Sequence, residues 1–213
     1  MSTAKKWSNV AVAMESALGS NITITAISKA SQGVVTATNT LSNGDFVKLS
    51  VQGMFQLDGR VARVSSVSGA SFTLEGVDTT LFDTFTTGTA NKITFGTSIT
   101  TATTLNASGG DFDFIDITTI HVNSKNQIPG AASAATYTFD NIWDVTDAGL
   151  LAMKLAGDAQ SQRAFKFTFG TGGQIMVFNG YVAANLLPGG SAQQLVTTPS
   201  TITMFGSPTY YAS

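Results

Sequence analysis

The sequence predicts a mainly β protein: a β-sandwich or barrel carrying one packed α-helix and a small inserted β-barrel-like module. Three observations predict it. From residue 22 onward, apolar and polar residues alternate with a period of two along most of the chain, as in half-buried strands. Glycine and asparagine turns cut those runs into short pieces. A clear helical period emerges at one place, near residues 147–157.

The first twenty residues fit two periods. Trp7, Val10, Ala11, Met14 and Leu18 would share a helical face, whereas Val10, Val12 and Met14 would alternate on a strand. Ile22, Ile24 and Ala26 then alternate with threonines, a second run begins at Gly33, and Asn43-Gly44 is a hairpin signal. Residues 45–51, 60–67 and 71–75 read as three further strands, the last two joined through Ser68-Gly69-Ala70. Short strands at this spacing predict a compact barrel-like module over 22–95, inserted into a main domain of 1–21 and 96–213. The Thr- and Gly-rich stretch 79–104 returns the chain to that domain.

In the second half, Asp111 to Ile117 alternates and slips phase at Phe114-Ile115, as a β-bulge would produce. Tyr137, Phe139, Asn141 and Trp143 share one strand face, and Phe165, Phe167 and Phe169 share another. Residues 174–184 and 197–205 complete the set, with Pro199 opening its strand or lying at an edge. Thr146 or Asp147 can cap the helix, Leu151 and Leu155 share a face with Ala148 and Ala152, Leu150 and Met153 widen the apolar stripe, and Gly157 marks its end.

Composition narrows the function. Of 213 residues, 43% are hydrophobic and only 11% charged, against about 25% in ordinary soluble domains. Low charge with abundant Ser and Thr suits strands that neighbours later cover. A net charge of −2 lacks the basic footprint of a nucleic-acid binder. The absence of cysteine excludes disulfides, thiolate metal sites and Cys nucleophiles. No run reaches the length of a membrane helix, and the N-terminus lacks a signal-peptide pattern, so cytoplasmic synthesis is expected.

Motifs for chemistry are weak. His121 is the sole histidine, no Gly-x-Ser-x-Gly occurs, and Gly170-Thr171-Gly172-Gly173 lacks the lysine of a phosphate loop and reads as a hairpin turn. Asp111 and Asp113 alternate with phenylalanines, as a strand with one wet face requires. No catalytic residue, metal site or cofactor is expected.

Leu41 to Asp45, Val51 to Met54 and Phe72 to Thr80 form a chain of short strands and Gly turns that resembles the small β-barrel modules recurring in bacteriophage tail proteins. Trp7 to Gly19 looks like the start of siphophage tail tube subunits. The resemblance implies a structural subunit that forms hexameric rings stacked head-to-tail into a hollow conduit. It also implies a tape measure protein inside the tube, tail tip and tail terminator proteins at its ends, and double-stranded DNA passing without specific binding. The site would be the virion tail, assembled in the host bacterial cytoplasm.

If each subunit lends about four strands, some twenty-four strands ~4.8 Å apart and tilted ~40° give a wall roughly 48 Å across at the backbone. Candidates to face the bore are Asp111, Asp113 and Asp116, then Asp140 and Asp144. Candidates to stack rings are Lys5, Lys6 and Trp7, then Asn126 and Pro129 within 123–135, then Tyr210 and Tyr211 in a C-terminus mobile from Ser207. The module either faces outward or reinforces ring contacts; the sequence leaves both open. The competing readings are a surface-binding β-sandwich, such as an adhesin or decoration protein, and the tube of a contractile or type VI secretion-like system.

Overall fold

A computed structural model describes residues 9–170 and 173–212. Its body is a seven-stranded antiparallel sheet in the order β10-β13-β16-β15-β14-β1-β9. These are β1 (Val10–Met14), β9 (Thr97–Ile99), β10 (Ala102–Ser108), β13 (Thr136–Ile142), β14 (Gln162–Phe169), β15 (Ile175–Ala184) and β16 (Thr197–Tyr211). The sheet curls strongly. β13 and β14 are separated by two strands, about 14 Å in a flat sheet, yet Tyr137 and Phe139 meet Phe167 with ring centroids 5.3 and 6.1 Å apart. An aromatic cluster of Tyr137, Phe139, Phe165, Phe167 and Phe178 therefore fills the concave side.

The helix α1 (Ala148–Asp158) closes that concave side with buried Leu150, Met153 and Ala156, whereas Leu151 and Leu155 of the expected face are exposed, so the helix sits rotated toward the margin of its expected stripe. Asp147 caps it, its carboxylate accepting from the Leu150 N–H at 2.8 Å. Gly149 lies so close to the β9 backbone at Ser98 that a side chain would clash, so the glycine sets how closely helix and sheet approach. Gly157, expected to mark the helix end, lies one residue before the final Asp158, against the Val182 carbonyl.

The second sheet runs β2-β8-β5-β6-β7-β4-β3. Its strands are β2 (Ala17–Ile24), β3 (Ala26–Ile27), β4 (Val34–Thr36), β5 (Phe46–Gln52), β6 (Val61–Ser68), β7 (Ser71–Leu74) and β8 (Thr87–Thr94). β2 and β3 are one run broken at Thr25, so the first and last strands of this order are continuous and the sheet closes into a small barrel. Val35, Val47, Leu49, Phe72 and Leu74 fill it and are fully buried.

Asn43-Gly44 makes its turn, with Gly44 at φ +90°. It joins no hairpin, because β4 pairs with β3 and β7 while β5 pairs with β6 and β8. Pro199 lies third in β16, beyond the last β15 pair of Ala184 with Ser200, so it has a strand neighbour on one side only.

Two dipeptides, Glu15-Ser16 and Phe95-Gly96, join barrel to body, and a polar and aromatic seam fixes their docking. Val61 and Ile93 of the barrel pack on Ala164, Val177 and Tyr211 of the body. The Arg63 N–H donates to the Tyr211 hydroxyl at 2.6 Å, and the Arg63 guanidinium lies 4.5 Å from the centre of that ring while its Nε donates to Glu75 at 2.7 Å. Thr209 Oγ1 donates to the Val61 carbonyl at 3.0 Å. The Glu15 carboxylate, fully enclosed, accepts from Arg163 Nη1 and from the Ala164 N–H, each at 3.1 Å. Burial pushes the nearby Lys48 amine below its ordinary pKa, an effect Glu15 opposes.

Candidate functional site

The inward set on β13 is Tyr137, Phe139 and Asn141, so alternation sends Thr136, Thr138 and Asp140 to the convex side. Their cross-strand partners there are Thr203, Thr201 and Pro199 of β16 and Ser108, Asn106 and Thr104 of β10. Tyr181 and Ala183 of β15 extend the same row opposite Thr203 and Thr201. Four adjacent strands thus present one open flank made mostly of hydroxyl side chains, with Asn106, Asp140, Ala183 and Pro199 among them.

Asp140 is the single charged residue that these four strands put on the flank among the described residues, and its carboxylate accepts from Thr104 Oγ1 at 2.6 Å; Asp158 at the helix end, paired with Lys154, borders the hollow beside Tyr181, Ala183 and Thr201. The described cations lie elsewhere. Arg63 and Arg163 serve the seam, Lys92 pairs with Asp45, Lys154 pairs with Asp158, and Lys166 stands over Phe46 and Phe95. Such a surface can hold a layer of water and offers no cation to replace the counterions condensed on a polyanion.

Beyond this flank, β10 and β13 continue as a second antiparallel pair, β11 (Phe112–Asp116) and β12 (Gln127–Ala132), which forms no sheet with any other strand. Gly109 and Gly110 make the bend with φ +79° and +85°, a conformation that glycine adopts without strain. The resulting arm is exposed throughout β11, with Phe114 63% and Ile120 96% accessible. Phe112 and Phe114 fall on one face and Ile115 on the other, across from Ile128. The register shift lies between Phe112 and Phe114, where β12 carries the extra residue, and not at Phe114-Ile115 as the phase suggested.

The sequence candidates are distributed as follows. Asp113 shares an arm face with Ile115 and Asp116 shares the other with Phe114, so the three arm aspartates (with Asp111 at its base) do not form one wet row and are not on the flank. Asp140 is on the flank. Asp144 lies in the loop at the flank's end, where hydrogen bonds from the Thr146 side chain and backbone hold its carboxyl below the usual range. Hydrogen bonds from Thr118 do the same for Asp116.

Asn126 closes the arm tip, its N–H donating to Thr118 Oγ1 at 2.9 Å, and Pro129 pairs with Phe114. The expected mobile C-terminus from Ser207 is instead the end of β16. Tyr210 is exposed there, but Tyr211 is 4% accessible and packed in the seam, which takes it out of reach of a neighbouring subunit. Its edge-to-face contact with Phe46 and its bond to Arg63 explain that burial. Lys5, Lys6 and Trp7 lie outside the described residues.

The hydroxyl flank was missed by sequence reasoning, although Thr197, Pro199, Thr201 and Thr203 alternate with buried Thr198, Ser200, Ile202 and Met204. His121 is exposed on the arm tip. Among the described residues no three His, Asp or Glu side chains gather as a metal site, and no helix is long and apolar enough to cross a membrane.

No curated protein matches the chain. A protein-family model described as phage tail tube protein, TTP, matches residues 52–213, about three quarters of the length, from the end of β5 through the body sheet, arm and helix. The chain belongs to the phage tail tube protein family.

Proposed function

We propose that the hydroxyl flank of β10, β13, β16 and β15 lines the bore of the tube and that double-stranded DNA slides past it during passage into the host. Members of the family are structural components of the virion tail that assemble into a tube, and they are not enzymes. The observation that carries the reading is the flank itself: four adjacent strands, open to solvent, whose own outward side chains among the described residues include one carboxylate and no lysine or arginine. Four strands per subunit match a wall of about twenty-four strands in a six-membered ring. Side chains narrow such a bore to roughly 35–40 Å, wide enough for a duplex of roughly 20 Å.

Six copies would place a sparse circle of Asp140 carboxylates in each ring, which repels phosphates weakly without trapping them. Rings stack head-to-tail, with a tape measure protein occupying the bore before DNA, and tip and terminator proteins capping the ends. Assembly in the host cytoplasm fits a chain without cysteine.

Because the native chain has no cysteine, Thr201→Cys supplies a unique probe. In assembled tubes the thiol is expected to react with a small maleimide that diffuses along the bore. It should resist a maleimide carried on a globular protein too large to enter. Equal reaction with both reagents would put the flank on the outside and refute the reading.

A further inference from the structure

An asparagine or aspartate followed by a small residue carries a reaction of its own, because the next backbone nitrogen can attack its side-chain carbonyl carbon. Glycine in the second place hinders that approach least. By residue type the reactive positions in this chain are therefore Asn43-Gly44, Asp58-Gly59 and Asn179-Gly180. The fold closes all three.

Asn43 Oδ1 accepts from the Val67 N–H at 2.9 Å, and the Gly44 N–H donates to the Val64 carbonyl at 2.8 Å. Asp58 Oδ1 accepts from the Val51 N–H at 3.0 Å, and the Gly59 N–H donates to the Leu49 carbonyl at 2.9 Å. In both dipeptides the attacked group and the attacking group are tied to one barrel strand, β6 in the first and β5 in the second. They cannot swing together until those bonds open. Asn179 is closed by burial: it is fully enclosed, its Nδ2 donates to Gln162 Oε1 at 2.8 Å, and Gly180 is paired with Arg163 on one side and Met204 on the other. Asn106-Ala107 is held extended in β10 by pairing with β13.

Asn123-Ser124 at the arm tip has none of these restraints. The tip is tied at its ends, where the Ile117 N–H donates to the Asn126 carbonyl at 2.9 Å and the Asn126 N–H donates to Thr118 Oγ1 at 2.9 Å. Between them Asn123 and Ser124 are exposed and outside any strand. Neither the Asn123 carboxamide nor the Ser124 N–H has a hydrogen-bond partner among the described residues. Serine is small enough to leave the approach open, and a backbone without hydrogen bonds reaches the attack geometry at little cost.

We propose that Asn123 is the site at which the folded subunit deamidates spontaneously. The Ser124 amide gives its proton to hydroxide, its nitrogen bonds to Asn123 Cγ, and the carboxamide nitrogen takes a proton from water and leaves as ammonia. Water then opens the five-membered imide at either carbonyl, leaving aspartate or isoaspartate. One water is consumed and one ammonia released, with no change of oxidation state. Each modified subunit gains one negative charge beside Lys125, which is exposed and has no ion pair among the described residues. The reaction belongs to the single subunit, so it stands apart from the bore.

Peptide mapping by mass spectrometry, on subunit aged in mildly alkaline buffer with and without urea, tests it. In the folded subunit the acidic product is expected to accumulate at Asn123, with Asn43 and Asn179 at least about tenfold slower because their restraints must open first. In urea the order should reverse, since glycine then follows both of the slower residues without restraint. Ser124→Pro removes the attacking N–H and should abolish the Asn123 product, whereas Ser124→Gly should speed it; both should keep the wild-type melting temperature, the position being exposed. Asn43 or Asn179 reacting as fast as Asn123 in the folded subunit, or no product at Asn123, would overturn the assignment. Product at Asn123 that persists in Ser124→Pro would overturn the attack by the Ser124 nitrogen.

Discussion

The barrel and the arm are built from the same material, short antiparallel strands rich in valine, isoleucine and phenylalanine, and they end in opposite states. In the barrel Val47, Leu49, Phe72 and Leu74 are fully buried; in the arm Phe112, Phe114 and Ile115 are each more than half exposed. Strand number makes the difference. Seven strands whose first and last are continuous can curl shut around their own side chains. Two strands cannot cover either face. Closed β structure here stabilises one subunit, and open β structure keeps its apolar side chains in solvent.

The largest effect expected on that comparison is inside the barrel. Phe72→Ala removes a fully buried ring and should lower subunit stability by about 4 kcal/mol in urea unfolding. A loss under about 1 kcal/mol would mean that the barrel interior is loosely packed. Next is the seam. Glu15→Ala leaves Arg163 and the Ala164 N–H without their acceptor, and should cost about 2–3 kcal/mol because Arg163 is partly solvated and can recover some of its loss. Proteolysis should then cut first at the two dipeptide links; unchanged cleavage would show that the apolar contacts alone hold barrel to body.

Tyr211→Phe is expected to cost about 1–2 kcal/mol at neutral pH, since the Arg63 N–H loses its acceptor. The same residue makes stability depend on alkali. Burial pushes the Tyr211 hydroxyl up to about 12, above its unfolded value near 10. The neutral phenol therefore stabilises the fold fully below about pH 10, and this contribution is lost as pH rises from about 10 through about 12. Wild-type and Tyr211→Phe stabilities should converge over that window; parallel curves would show that the phenol ionises as freely folded as unfolded.

The smallest change in subunit stability belongs to the arm. Phe114→Ala should shift unfolding by no more than about 0.5 kcal/mol, as for an ordinary surface position. A loss comparable to that of Phe72→Ala would show the arm packed within its own subunit.

Alternation made most of the strands legible, including Tyr137 with Phe139 and Phe165 with Phe167 on the buried side, and Asp147 was readable as a helix cap. The barrel strand Thr87–Thr94 was not, because only Ala90 and Ile93 in it are buried and threonine, asparagine and lysine fill the rest. Period-two patterning says that two faces differ; it does not say which sheet, if any, will cover them. That is why the arm read as an ordinary half-buried strand with a wet aspartate row. It is also why threonines along β16 gave no warning of a flank. Tyr211 looked like part of a tail, and only the barrel folding back onto β16 buries it.

The most direct test of the account is a cryo-electron microscopy reconstruction of the assembled tube at side-chain resolution. Thr138, Thr201 and Thr203 should project into an open bore, with Asp140 as the charged residue among them. A map that buries this flank between subunits, or turns it to the outer surface, would contradict it.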